Sequence, residues 1–152
     1  MSREIRPLGR TPLIGLVERA ARGLGSDMIT TARERGFTEL RLAHGTVFGN
    51  LPGEGARVTE MAAQAGITKQ SMGEVVRELV ELGICDMEPD PNDRRAKIVT
   101  YTEYGHRVAA DGFGHLQQVE RRLARTFGED YETARRVLEW VIEEYPRNAA
   151  AQ

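Results

Sequence analysis

A group of basic and small polar residues opens a predicted helix near the middle of the chain: Lys69, Gln70, Ser71, Gly73 and Arg77. Lysine and glutamine side chains can hydrogen-bond base edges, and the free N–H groups of a first helical turn favour phosphate oxygens. Arg77 lies two turns further on and is better placed for phosphate than for a base. These residue types suit contact with a nucleic acid. The sequence leaves open whether Gln70 pairs with adenine or Lys69 with guanine.

A second charged group follows a run rich in Pro, Asp and Asn, and comprises Asp93, Arg94, Arg95 and Lys97. Short apolar runs at 84–87 and 97–101 flank it, which predicts a β-hairpin with Asp93, Arg94 and Arg95 at its tip. A basic hairpin placed behind a helix-turn-helix is a wing, and it reaches along a nucleic acid backbone. Arginines at its tip would sense the width of the minor groove.

The helix-turn-helix that must position these residues is predicted directly before the hairpin. Val58 to Gly66 gives a short helix with Thr59 as its N-cap and Gly66 as its end. Thr68 then caps a second helix that runs from Lys69 to Leu82. The apolar residues of this second helix form one stripe at helical period: Met72, Val75, Val76, Leu79, Val80 and Leu82.

Two further helices are predicted ahead of this lobe. Pro12 opens a helical pattern that ends at Gly36. Phe37 starts a second helix, which Pro52 stops. The inward residues of this second helix are expected to be Leu40, Ala43, Val47 and Leu51.

Two more helices are predicted behind the hairpin. Glu103 to Phe127 forms one long helix, in which Gly112 and Gly114 mark a candidate bend. Gly128 separates it from a final amphipathic helix that reaches Tyr145. The fold class is therefore mainly α with a small β-hairpin. The apolar stripes at both ends of the chain exceed what a small core can absorb, which favours burial against a second copy.

Charge alone does not indicate DNA. The net charge of the 152 residues is −2, and residues 57–97 hold six Lys and Arg against eight Asp and Glu. A basic patch can still form if the cations face one way and the carboxylates another, because net charge is only a partial guide to a local patch.

Four short segments together resemble the MarR family of winged-helix transcriptional regulators: Thr68-Lys-Gln-Ser-Met, Leu79 with Gly83, Pro89-Asp-Pro-x-Asp-Arg-Arg-Ala-Lys, and Thr102-Glu-x-Gly105. The resemblance implies a homodimer, a recognition helix in the major groove, a wing on the minor groove and a small-molecule or redox signal that weakens DNA binding. The family's Asp-x-Arg signature falls on Asp93, which would hold the loop, and Arg95, which would reach the minor groove. Met87 and Glu88 depart from the family pattern, because an arginine and an uncharged or basic residue are common there.

The resemblance also implies an organisation and an effector site. One MarR-like domain over 1–152 would hold a DNA-binding lobe at about 37–101 and dimerisation helices at about 11–36 and 102–146. The expected effector is a small molecule, often aromatic in this family, held between the lobe and the dimerisation helices. Candidate pocket residues are Arg41, His44, Phe48 and Tyr104, which supply aromatic and polar groups near that junction.

Other classes of site find little support. The three histidines have no Ser/His/Asp spacing, and the pairs Asp111 with His115 and Glu103 with His106 are more often solvated groups than metal ligands. We expect a non-enzyme without catalytic residues, metal or cofactor. Cys85 is the only cysteine, so a disulfide within the chain is impossible, and a buried thiol is the favoured interpretation over a peroxide sensor. With no signal-like segment and no membrane partner indicated, a cytoplasmic location is expected.

Two functions from different classes remain. The first is a homodimeric repressor that a small-molecule effector releases from a pseudo-palindromic operator in double-stranded DNA. The second is a winged-helix dimer that acts through protein contacts without specific DNA binding. The net negative lobe, Met87 and Glu88 keep the second alternative open.

Overall fold

The computed structural model describes residues 9–146, so the ends of the predicted domain at 1–8 and 147–152 lie outside it. The helices and strands in chain order are α1 (Leu13–Glu34), a 3₁₀ turn (Leu42–His44), α2 (Gly45–Phe48), α3 (Val58–Ala65), α4 (Lys69–Glu81), β1 (Cys85–Asp90), β2 (Asp93–Tyr101), α5 (Glu103–Phe127) and α6 (Glu129–Glu144). The predicted class, mainly helical with one antiparallel hairpin, is confirmed.

The helix-turn-helix forms where it was predicted, with one difference at its start. The carboxylate of Glu60 accepts a hydrogen bond from the Arg57 N–H at 2.9 Å, so the N-cap of α3 is Arg57 and the prediction of Thr59 was wrong. The physical reason is that a glutamate three residues into a helix can reach back to the free N–H at its entrance. Gly66 ends α3 with φ of +66°, as predicted for a left-handed turn residue.

The apolar stripe of α4 supplies much of the core. Met72, Val76 and Leu79 are fully buried and belong to one cluster with Met61 and Ala62 of α3. Thr68 caps α4 by accepting a hydrogen bond from the Ser71 N–H at 3.0 Å. Both predictions are confirmed, and together they hold the first turn of α4 at the protein surface.

The hairpin is longer than the sequence predicts. Both strands continue to a two-residue turn at Pro91 and Asn92, so Asp93, Arg94 and Arg95 lie in β2 rather than in a loop. The Asn92 N–H donates to the carboxylate of Asp90 at 2.8 Å and closes this turn. A register irregularity between Pro89 and Asp90 accommodates the proline, which cannot donate to the ladder.

A third backbone segment pairs with the hairpin and was not predicted. Ala56 and Val99 exchange two hydrogen bonds, at 3.1 Å and 2.8 Å between N and O. Because Ala56 directly precedes Arg57 and α3, this bridge ties the entrance of the helix-turn-helix to the second wing strand.

The predicted helix from Phe37 to Leu51 was wrong in length. Residues 37–41 are not helical, and only the 3₁₀ turn and α2 follow. The Arg33 side chain donates to the Leu40 carbonyl at 2.8 Å and holds this segment against the end of α1. Glycines at 45 and 49 further weaken helix formation. Leu40, Val47 and Leu51 are buried as predicted, whereas Ala43 is exposed.

Helix α5 is seated on the entrance to β1. The Thr102 hydroxyl donates to the Gly83 carbonyl at 2.6 Å and accepts from the Gly105 N–H at 2.9 Å. A Cβ at Gly105 would lie 1.9 Å from the carbonyl oxygen of Ile84, which only glycine avoids. From there α5 runs through Gly112 and Gly114 as one continuous helix.

Helices α1, α5 and α6 expose apolar side chains that the rest of the described chain covers only in part. They are Leu13, Ile14, Leu16 and Val17 on α1, Phe113, Leu116 and Phe127 on α5, and Val137, Leu138, Trp140, Ile142 and Tyr145 at α6. Ile14 and Ile142 are 70% and 71% exposed. Contiguous exposed apolar surface of this kind is typical of an interface. No helix in residues 9–146 is both long and apolar enough to cross a membrane.

Candidate nucleic-acid interface

The first turn of α4 presents its polar side chains to solvent. Lys69, Gln70 and Ser71 are exposed, and Gly73 is half-buried, where an added Cβ would lie 4.0 Å from a methyl group of Val58. The Ser71 hydroxyl accepts from the Thr68 hydroxyl at 2.8 Å, and the Gln70 amide donates to Glu74 at 3.3 Å. The predicted group of contact residues is thus brought together on one accessible turn.

Arg77 extends the same face. It is exposed and lies seven residues after Gln70, so helical period places both on the side opposite the buried Met72 and Val76. The neighbouring Glu78 points the other way, towards Arg41 and His44. Helix α4 therefore has one face in the core and one exposed to solvent.

The wing carries its cations on both faces of the hairpin. Arg94, Arg95 and Lys97 are exposed, and strand alternation places Arg95 and Lys97 on one face and Arg94 on the other. Asp93 accepts a hydrogen bond from the Arg95 N–H at 3.1 Å. Asp93 thereby fixes the backbone at the start of β2, which leaves the Arg95 side chain free.

Arg57 is a functional candidate that sequence reasoning missed. Its Nε donates to the Asp90 carboxylate at 2.7 Å, and its Nη2 lies 3.8 Å from Asp93. The Asn92 N–H and this guanidinium lower the pKa of Asp90, while the hydrogen bond that Arg57 donates to Asp90 raises the pKa of Arg57. The contact spans 33 residues of sequence, and no local signal in the sequence indicates it.

Internal contacts engage part of the excess of carboxylates in residues 57–97. Four of the eight carboxylates are used locally: Glu60 caps α3, Asp90 and Asp93 meet Arg57, and Glu78 binds Arg41. In the described part of the chain, no ion pair involves Lys69, Arg77, Arg94, Arg95 or Lys97. Glu74, Glu81, Asp86 and Glu88 remain exposed. Glu74 lies on the same exposed face of α4 as Gln70 and Arg77. The free cations therefore gather at α4 and the wing.

A buried histidine connects α4 to the 3₁₀ turn at 42–44. His44 is 1% exposed, and its Nε2 lies 3.0 Å from the carboxylate of Glu78. The Arg41 guanidinium binds the same carboxylate oxygen. These two partners, Arg41 first, lower the pKa of Glu78.

A cavity of about 500 Å³ lies between α1, the 42–49 segment and α5. Of the four predicted effector residues, Phe48 lines it, whereas Arg41 and His44 face Glu78 instead. Tyr104 packs against Phe37, with ring centroids 6.2 Å apart. The structure thus separates these three from the cavity, whose other walls are apolar apart from Thr46.

The cysteine is buried, and Asp111 and His115, considered above as metal ligands, each form an ion pair. Cys85 is buried in the first wing strand as predicted, and burial raises the pKa of its thiol to about 11, so the thiol stays protonated near neutrality. Asp111 pairs with Arg35 at 2.9 Å, and His115 pairs with Asp27 at 2.7 Å. Residues 9–146 contain no cluster of three or more His, Cys, Asp or Glu that could hold a metal ion.

The lobe that carries these residues is similar to known proteins. The family model of the MarR family matches residues 53–97, which include α3, α4, β1 and part of β2. Among curated proteins, none matches this sequence.

Three solved proteins share the fold over nearly the whole chain. The transcriptional regulator PA4135 is 23% identical with a TM-score of 0.67, over 90% of this chain and 100% of its own. MarR from E. coli, in its apo form, is 20% identical with a TM-score of 0.65, over 91% and 99%.

The third is CouR. In the structure from Rhodococcus jostii bound to p-coumaroyl-CoA, it is 22% identical with a TM-score of 0.69, over 88% of this chain and 90% of its own. A second structure shows CouR, a transcriptional repressor, bound to a 23-mer DNA duplex, with 21% identity and a TM-score of 0.63, over 87% and 92%. In the sequence of its wing-bearing lobe the chain is thus similar to the MarR family, and its fold is the winged-helix fold of these solved regulators.

Proposed function

We propose that this protein is a homodimeric, sequence-specific DNA-binding repressor that a small-molecule effector releases from a pseudo-palindromic operator. The observation that carries the proposal is the set of free cations on α4 and the wing, next to carboxylates that are bound internally. DNA binding draws most of its affinity from such cations, because each phosphate contact releases counterions. The fold, which the DNA-bound CouR shares, supports the same conclusion.

Each part of the chain has a role in this proposal. The DNA-binding lobe spans about 37–101, and the exposed apolar residues of α1, α5 and α6 meet a second copy within the dimerisation regions at about 11–36 and 102–146. In such a dimer the two α4 helices would read half-sites about one helical turn, ~34 Å, apart. Lys69, Gln70, Ser71 and Gly73 would meet base edges or phosphates in the major groove, and Arg77 a phosphate.

The wing would supply a second contact. Arg95, Arg94 and Lys97 would lie along the minor groove or its phosphates, where width rather than base identity is sensed. Asp93 would act indirectly by holding the β2 backbone that carries Arg95. Such a regulator works where the chromosome lies, which agrees with the expected cytoplasmic location.

The direct test is binding of the purified full chain to the intergenic DNA upstream of its own gene, by fluorescence anisotropy across a salt series. We expect saturable binding that survives excess competitor DNA and weakens steeply with salt. Absence of binding at low salt would contradict the proposal.

The protein-contact alternative retains one specific support. Glu74 lies on the exposed face of α4 and accepts a hydrogen bond from Gln70, and Glu88 is exposed on the wing. Neutral substitution of both residues distinguishes the two functions. A DNA-binding protein should gain affinity for DNA in Glu74→Gln/Glu88→Gln, whereas a module that docks through protein contacts should not bind DNA before or after the change.

A further inference from the structure

The cavity beside α5 reaches into the interior of the protomer. Its floor includes Ala32 and Val108, which are 8% and 4% exposed, whereas Leu42 and Phe113 at its rim are 50% and 62% exposed. A volume of about 500 Å³ falls within the range typical of small-molecule sites.

The chemistry of the lining is almost entirely apolar. In the part of the chain that the structure describes, no charged residue lines the cavity, and Thr46 supplies its only side-chain hydroxyl. The charged residues next to lining residues along α1 and α5 are engaged in other contacts: Asp27 with His115, Asp111 with Arg35, Arg107 with Glu103, and Arg33 with the Leu40 carbonyl. An anionic ligand would therefore lose its hydration without meeting a free cation, which strongly disfavours its binding.

We propose that this cavity binds an uncharged, mainly apolar ligand and discriminates against carboxylates and other anions. The inference specifies the chemical class of the effector in the proposed function. Only the regulatory effect of the ligand, and not its binding to the cavity, rests on that function. The inference restricts the effector expected from the family resemblance, a small and often aromatic molecule, to an uncharged one, because neither Arg41 nor His44 faces the cavity.

The decisive measurement compares two fluorescent probes that share one ring system. N-phenylnaphthylamine is uncharged, and its sulfonate, anilinonaphthalene sulfonate, carries one negative charge. Titration of the full chain should show saturable binding of the uncharged probe, at least about tenfold tighter than that of the sulfonate. Equal affinities, tighter binding of the sulfonate, or no saturable binding of the uncharged probe would overturn the proposal.

Variants locate the probe, because exposed apolar helices could also bind it. Gly112 lines the cavity, and a Cβ there would lie 3.8 Å from the Met28 methyl group, an ordinary contact, so Gly112→Leu can fill the space without a backbone clash. We expect it to weaken binding of the uncharged probe by at least about tenfold. Gly23→Leu on the exposed face of α1 is the matched control and should leave binding unchanged. Equal losses in both variants, or none in Gly112→Leu, would place the probe elsewhere.

A gain-of-function variant tests the charge argument itself. Thr46→Lys places an ammonium group at the cavity wall. It should reduce the ratio by which the uncharged probe binds more tightly than the sulfonate. An unchanged preference would contradict the electrostatic explanation.

Operator binding by the same samples separates this inference from the proposed function. Selective probe binding without DNA binding would retain the ligand class and reject the regulator. DNA binding without probe selectivity would reject the ligand class alone.

Discussion

Arg57, at the entrance of α3, and Asp90, at the end of β1, are joined by a hydrogen bond of 2.7 Å between Nε and Oδ2. Asp90 is 6% exposed, and its other oxygen closes the hairpin turn by accepting from the Asn92 N–H. The wing is therefore fixed to the helix-turn-helix by a charged contact as well as by the Ala56–Val99 bridge. This contact sets the angle between the two elements that we propose contact DNA.

Removal of Arg57 should weaken DNA binding although it is outside the proposed contact residues. Arg57→Ala leaves Asp90 and Asp93 without their cation, which adds negative charge beside Arg95 and loosens the wing. We expect a loss of roughly tenfold in operator affinity by anisotropy. Arg107→Ala, which removes an exposed pair with Glu103 and a contact with the Tyr104 ring, both away from the wing, is the control and should change little. Wild-type affinity in Arg57→Ala would contradict this role of the contact.

The same contact predicts a pH dependence of stability. The pKa of Asp90 is lowered, first by the Asn92 N–H and then by Arg57, so its stabilisation is present above the ordinary carboxyl pKa and is lost as pH falls through the lowered value. Urea midpoints should therefore fall below about pH 4. Asp90→Asn should be less stable at neutral pH and less sensitive to acid than the wild type. Parallel acid profiles for the two proteins would show that Asp90 is not responsible.

Arg95 should contribute through a phosphate-type contact. Arg95→Ala removes a free, exposed cation from the wing and should lower the magnitude of the salt slope of DNA binding by about one. Arg125→Ala, an exposed arginine near the end of α5, tests for a general effect of net charge. A slope unchanged by Arg95→Ala would place this residue off the DNA.

His44 should act through the position of α4. The Arg41 N–H donates to its Nδ1 at 3.1 Å, so in the neutral ring Nε2 carries the proton that Glu78 accepts. His44→Ala leaves a buried gap and removes both hydrogen bonds, with an expected loss of about 1–3 kcal/mol in the free energy of unfolding by urea. Glu78→Gln keeps an acceptor oxygen and should cost less. The reverse order of the two losses would show that the histidine side chain is not the important partner.

Two glycines of α5 should respond in opposite directions to the same change. Gly105→Ala brings a Cβ against the Ile84 carbonyl oxygen, so the start of α5 must shift and stability should fall sharply. At Gly114 no atom lies within 4 Å of an added Cβ, and Gly114→Ala should stabilise the protein by up to about 1 kcal/mol through helix propensity. Thermal unfolding measures both. Similar melting temperatures for the two variants would contradict the steric explanation.

Local signals in the sequence were sufficient for α4 and its cap, because Thr68, the apolar stripe and Gly66 act within a few residues of one another. The predicted helix at 37–51 failed because contacts from outside that segment, such as Arg33 to Leu40, decide its conformation. The wing strands were predicted too short, since Pro and Asp are usually found in turns, whereas here an irregular register accommodates them.

The candidate site likewise contains some residues that local sequence could place and others that it could not. The recognition-helix residues share one exposed turn because helical period alone places them there. Arg57 with Asp90 and the separation of His44 from the cavity depend on how distant segments pack, which spacing in sequence does not encode. An effector pocket inferred from aromatic and polar residue types therefore retained only Phe48.

The uncovered apolar side chains of α1, α5 and α6 make the stability of this protein depend on how much of it is present. If a second copy covers them, mass action favours the folded pair at high concentration, and the midpoint of thermal unfolding should rise as the protein is concentrated. On dilution below its dissociation constant the pair would separate, and the lone protomer would expose Ile14, Trp140 and Ile142 to water. Cellular abundance would then set both the occupancy of the DNA and the lifetime of the protein.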